Sequence, residues 1–215
     1  MSVNDVTTLF DQTLAESDLS DKQKAVLRAS LALFAKQGFA RTSTSDIARA
    51  AGVSEGTVYK RFKTKDDILQ AILRPFIAEV VPKAAGEFAA STMTHAPETF
   101  EAFLRLVLTD RITFALRNYQ VVKIMVGEAL QRPELVADVK IAFTQLMQQR
   151  LVPVVQHYQA AGQLVDWPAT EIIAFTAGTI AGDIVPRLLA GQSVTAIDAM
   201  VDREVQFLLK GLAPE

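Results

Sequence analysis

Residues 53–65, VSEGTVYKRFKTK, crowd Lys60, Arg61, Lys63 and Lys65 into six positions and interleave them with Val58, Tyr59 and Phe62. Ammonium and guanidinium groups beside a phenol suit phosphate oxygens, provided the apolar residues between them anchor the segment to a core. The residues just upstream supply that anchor. Ile47, Ala48 and Ala51 fall on one face of a short helix, and Val58 and Phe62 on one face of the next. Gly52 permits a tight turn between them and Val53 plugs the corner. Ala48, Gly52 and Val58 therefore have helix-turn-helix spacing: a small residue where helices cross, a glycine at the corner, an aliphatic anchor beyond it. Glu55, Gly56, Thr57, Tyr59, Lys60 and Lys63 point away from the anchors. Small polar groups near a helix start can approach base edges, while lysines and a tyrosine hydroxyl meet the backbone. A solvated face is the ordinary explanation of a charge run; the turn spacing is what favours a nucleic-acid contact here.

The charge distribution agrees. The chain of 215 residues has a formal net charge of -2, yet residues 20–75 hold 11 Lys/Arg against 5 Asp/Glu. Basic charge confined to one region of an acidic protein is the mark of a local polyanion-binding surface. Residues 1–19 carry four acids and no Lys or Arg, the opposite of a signal peptide, and are expected to form a polar, disordered leader. No cysteine is present, which excludes disulfides and thiolate metal sites and fits a cytoplasmic location. The most apolar run, residues 172–191, is interrupted by Asp183, Pro186 and Arg187, so a buried helix is expected and no membrane span. His95 and His157 stand apart from other metal-ligating residues, and no phosphate loop, dinucleotide fingerprint or serine elbow occurs. No catalytic residue, metal or cofactor is expected, and no enzyme.

The elements that must position the basic segment read as all-α. Leu27, Leu31 and Phe34 predict a helix over 21–37, stopped by Gly38. Thr and Ser residues at 42–45 cap the next short helix, with Asp46 in its first turn; Ser54 caps the following one. Thr64 caps a fourth, whose inward stripe is Ile68, Leu69, Ile72 and Leu73, with Pro75 and Pro82 bending or breaking it. Longer helices follow at about 97–118, 119–131, 133–161, 168–190 and 194–211, roughly nine in all. The expected organisation is a leader over 1–19, a three-helix DNA-binding domain over 20–66, and a larger helical domain over 67–215.

Residues 32–69, ALFAKQGFARTSTSDIARAAGVSEGTVYKRFKTKDDIL, resemble the DNA-binding domain of the TetR family of bacterial transcriptional regulators. The likeness lies in an aromatic followed by Gly-aromatic (Phe34, Gly38, Phe39), Thr-Ser, Asp-Ile-Ala, Ala-Gly-Val-Ser, Gly-Thr-aliphatic-Tyr, Phe, and Lys followed by acids. A weaker likeness, GEALQRPEL at 127–135, is to a segment of many effector domains in that family. The resemblance implies roles. Thr44 and Ser45 would meet DNA backbone or a base, and Ser54 would cap the recognition helix and contact phosphate. Glu55, Gly56 and Thr57 would face the major groove, Glu55 accepting from cytosine N4. Tyr59 and Lys65 would each bind a phosphate, and Lys60 would tune operator preference.

For the distal region the resemblance implies an effector cavity lined by some of its aromatic, methionine and embedded polar residues. The candidates are Phe103, Phe114, Arg117, Met125, Glu128, Phe143, Met147 and Phe175. It further implies a homodimer through the helices at about 168–190 and 194–211, where Ala174, Ala177, Gly178, Ala181 and Gly182 allow close approach. The expected protein is a ligand-responsive regulator, a dimeric repressor of a palindromic double-stranded DNA operator released by a small apolar or amphipathic effector. The alternative is an all-helical small-molecule-binding or interaction module whose helix-turn-helix serves packing only.

Overall fold

A computed structural model describes residues 5–80, 82–84, 86, 97–129, 137, 140–141, 144–190 and 196–214. Among the described residues there are ten α-helices and no strand: α1 (Val6–Glu16), α2 (Asp21–Gln37), α3 (Thr44–Ala50), α4 (Glu55–Arg61), α5 (Lys65–Pro75), α6 (Phe100–Arg117), α7 (Tyr119–Ala129), α8 (Val152–Ala160), α9 (Ala169–Ala190) and α10 (Ile197–Leu212). π-helical turns at Phe76–Val80 and Met147–Leu151 follow α5 and precede α8. The chain divides into two compact units, one over Asn4–Ala84 with Gln120–Ala142, the other over Ala85–Tyr119 with Phe143–Glu215.

In the first unit, α2 carries the packing. Its buried stripe Val26, Leu27, Leu31 and Phe34 receives α3, α4 and α5. Ser20 and Gln23 form a capping box at its start, satisfying donors that a helix end leaves open. Gly38, at φ 88°, ends it. The compact unit extends well beyond residue 66, because α5 and its π-turn bury Ile68, Leu69, Ile72, Leu73, Phe76, Ile77 and Val80. Pro75, with no backbone N–H to give, closes α5 where the ladder widens.

The expected disordered leader is corrected. Residues 6–16 form α1, capped by Asp5, whose Oδ1 accepts from the Thr7 amide at 2.9 Å. Val6, Leu9, Phe10, Thr13 and Leu14 are buried, a helical stripe concealed by the acids between them. Phe10 lies against Phe76 with ring centroids 5.9 Å apart. Ion pairs Asp11–Arg28 at 2.6 Å and Glu16–Lys83 at 2.9 Å flank that contact.

In the second unit α10 packs along α6, and α9 bridges to α6, α8 and α10. Phe100, Phe103 and Tyr158 form an aromatic cluster, with centroids 5.3 to 6.3 Å apart, and the buried Tyr158 hydroxyl donates to the Pro97 carbonyl at 2.7 Å. Thr99 caps α6, so that helix begins at Phe100 and not at 97. Helix α9 runs through Pro186 to Ala190. The single helix expected over 133–161 is represented by the π-turn and α8, the residues at 133–136 lying outside those described. So do residues 194–195, Gly191 and His95. Among the described residues, no helix is long and apolar enough to cross a membrane and no metal-ligating cluster occurs.

Candidate nucleic-acid interface

The corner between α3 and α4 is a Schellman closure. The Val53 amide donates to the Ala48 carbonyl at 3.0 Å and the Gly52 amide to the Arg49 carbonyl at 3.3 Å, which requires the left-handed residue that Gly52 provides at φ 67°. Ile47 and Val58 are fully shielded, Ala48 and Phe62 nearly so. Each short helix owes its start to a side chain. Ser43 Oγ accepts from the Asp46 amide at 3.1 Å, and Asp46 accepts from the Ser43 amide and hydroxyl. Those Ser43 hydrogen bonds hold the Asp46 carboxyl below its usual range. Ser54 Oγ accepts from the Thr57 amide at 3.2 Å and shares a hydrogen bond with the Thr57 hydroxyl at 3.0 Å. Seven-residue helices have little stability alone, so these caps and the shared core set the angle of α4.

On the outer side of that core the expected readers come together. Ser54, Glu55, Gly56, Tyr59 and Lys60 are exposed, and Thr57, Thr44 and Ser45 are half-buried. Tyr59 is 49% exposed, and its hydroxyl lies 2.9 Å from Thr44 Oγ1, so the first turn of α3 and the outer face of α4 present one polar surface. Gly56 shows no side-chain obstruction, a Cβ there meeting only Ser54 Oγ at 3.9 Å. Exposed Arg61 and Lys63 continue the positive charge. Lys65 opens α5 and has partners within the protein. Its ammonium turns back onto the loop after α2, donating to the carbonyls of Phe39 at 2.8 Å and Thr42 at 2.9 Å, with Ala40 at 3.4 Å. The resemblance implies a phosphate contact for Lys65; the loop carbonyls, more than twenty residues away in sequence, gave no signal.

The distal candidates do not all share one compact unit. Met125 and Glu128, both half-buried on α7, belong to the first unit. Phe103, Phe114, Arg117, Met147 and Phe175 belong to the second. Phe103 packs in the aromatic cluster, Arg111 lies over the Phe114 ring at 5.1 Å, and Arg117 is exposed. Phe175, 54% exposed, touches the Trp167 ring. Phe143 and residues 130–135 of the GEALQRPEL segment lie outside the described residues.

The described elements form an all-helical fold with a capped helix-turn-helix whose outer face is polar, basic and exposed. Residues 26–72 match the family model described as "Bacterial regulatory proteins, tetR family". Over 59 residues it is 36% identical to the uncharacterized HTH-type transcriptional regulator YerO of Bacillus subtilis, covering 27% of this chain and 20% of that one. The fold is similar to that of a putative TetR-family regulator from Mesorhizobium loti, with TM-score 0.70 and 17% identity over 92% of this chain and all of that one. It is also similar to the regulator FadR of Bacillus subtilis in complex with stearoyl-CoA, with TM-score 0.63 and 19% identity over 87% and 97% of the two chains. Structural likeness at such identities concerns the fold alone.

Proposed function

We propose that the protein is a ligand-responsive transcriptional repressor acting as a homodimer on a palindromic operator. The observation that carries this reading is the Tyr59–Thr44 surface, polar and accessible outside the buried pair Val58 and Ile47. Glu55, Gly56 and Thr57 enter the major groove, Lys60 meets the backbone beside them and tunes operator preference, and Ser45, Ser54 and Tyr59 hold the flanking phosphates. Residues 20–66 form the functional reading head and 67–215 the effector-binding and dimerisation region. Pairing of α9 and α10 with their copies is supported by an exposed small-residue face, Ala174, Gly178, Ala181 and Gly182, and by exposed Phe175 and Phe207. A dimer of this kind reads two half-sites a DNA turn or more apart.

The effector is a small apolar or amphipathic molecule, a reading supported by the fold shared with a regulator solved with stearoyl-CoA. It releases DNA by binding more tightly to the dimer whose heads are wrongly spaced. The protein acts in the cytoplasm and performs no chemistry on its ligand. Duplexes retained from a random pool by the full-length chain test the reading. The expected result is a palindromic consensus, bound with log K falling linearly in log salt at about 0.9 per neutralised phosphate. A chain that enriches no duplex, or binds without salt dependence, overturns it in favour of a packing-only helix-turn-helix.

A further inference from the structure

An ammonium at the first position of a helix faces the positive end of that helix, an unfavourable place for a cation. Lys65 occupies that position in α5 and is drawn away from it. Its three N–H groups meet three carbonyls, those of Phe39, Ala40 and Thr42, which matches the donor inventory of an ammonium in full. The charge also sits 4.4 Å from the centroid of the Phe39 ring, a cation–π distance. Phe39 in turn packs edge-on against Phe34 at 5.2 Å, and Phe34 is a buried core residue of α2.

The loop so held leads directly into the reading surface. The Thr42 amide donates to Phe39 O at 3.2 Å and the Thr42 hydroxyl to Gly38 O at 2.8 Å. The next residue, Ser43, caps α3, and Thr44 after it contacts Tyr59. From these contacts we infer that Lys65 is a positioning residue: it locks the α2–α3 loop and thereby sets where Thr44 and Tyr59 stand, while exposed Lys60 and Lys63 supply charge to the DNA backbone. A phosphate could engage Lys65 only by displacing carbonyls from its ammonium. The inference rests on the proposed DNA-binding role of this surface, and it divides the lysines of one short segment into two functions.

Lys65→Met in the full-length chain keeps the stem and removes the donors; Lys60→Met is its comparator. Two measurements are made: amide hydrogen exchange across residues 39–44 without DNA, and affinity against salt for a fluorescent duplex enriched by the wild-type chain. For Lys65→Met the expected result is about tenfold weaker binding at every salt concentration, an unchanged salt slope, and loop amides exchanging about tenfold faster. For Lys60→Met the slope falls by about 0.9 per protomer and exchange in the loop is unchanged. Lys65→Gln, neutral but still a donor, covers the case in which methionine unfolds the head; it too leaves the slope unchanged. A fall in slope for Met or Gln at Lys65, with loop exchange unaltered, overturns the inference. If the wild-type chain enriches no duplex, the DNA-binding reading fails, and loop exchange still decides whether Lys65 holds the loop.

Discussion

The Thr44 hydroxyl and the Tyr59 phenol stand 2.9 Å apart, joining residues fifteen positions distant across the corner of the helix-turn-helix. A phenol held by a neighbouring hydroxyl enters a DNA complex already oriented, so less side-chain freedom is lost on binding. Tyr59→Phe and Thr44→Val are each expected to weaken DNA binding. The double variant should lose less than the sum, with a coupling of about 0.5–1.5 kcal/mol. Fluorescence anisotropy on all four proteins measures it.

Gly52→Ala tests the corner itself. A Cβ at this position meets no atom within 4 Å, so the expected loss comes wholly from the positive φ and amounts to about 1–2 kcal/mol. Gly52→Asn should lose less, since asparagine tolerates the left-handed region better. Urea unfolding of the two variants ranks them.

Helix α1 is expected to stabilise the first unit strongly. Phe10 is fully shielded from solvent against Phe76, and Phe10→Ala should cost about 3–5 kcal/mol. Asp11→Asn, which breaks an ion pair with both partners close to half exposed, should cost at most about 1 kcal/mol. Denaturant midpoints for the two variants separate packing from charge.

A pH dependence follows from Glu204 on α10. Its side chain is buried, with the carboxyl of Asp183 on α9 beside it. Burial, then the negative Asp183 on α9, push its carboxyl up to about 7, with Arg203 and Arg187 opposing. The folded state therefore holds this proton more tightly than the unfolded chain. The group's stabilising contribution is complete below the unfolded value near 4.5 and is lost as pH rises through about 7, on the order of 3 kcal/mol. Thermal midpoints should fall across that window, and Glu204→Gln should flatten the fall.

The reading head was legible because its signals are local. Ser54, Gly52 and Thr64 act within three or four residues of themselves, and α2 spans Asp21–Gln37 as its periodicity predicts. Helix α1 was missed because acids dominate its composition, although Val6, Leu9, Phe10 and Leu14 carry a helical stripe. The partners of Lys65 were hidden for a different reason: charge is visible in a sequence, but which oxygens surround it depends on a loop brought near by folding. Phe103 likewise reads as a ligand contact or as core with equal ease, and only its contact with Tyr158 shows packing.

The wide turn after Pro75 has a geometric consequence. Ile68, Ile72, Phe76 and Val80 are buried at intervals of four, slightly more than the 3.6 residues of an α-helical turn. Such a row winds progressively around a regular helix and would carry its last members into water. The looser coil at Phe76–Val80 turns less per residue and so counters that drift, and Val80 stays buried. A regular α-helical turn over the same residues would leave Val80 about 120° around the axis from Ile68, exposing a row that the present register keeps dry.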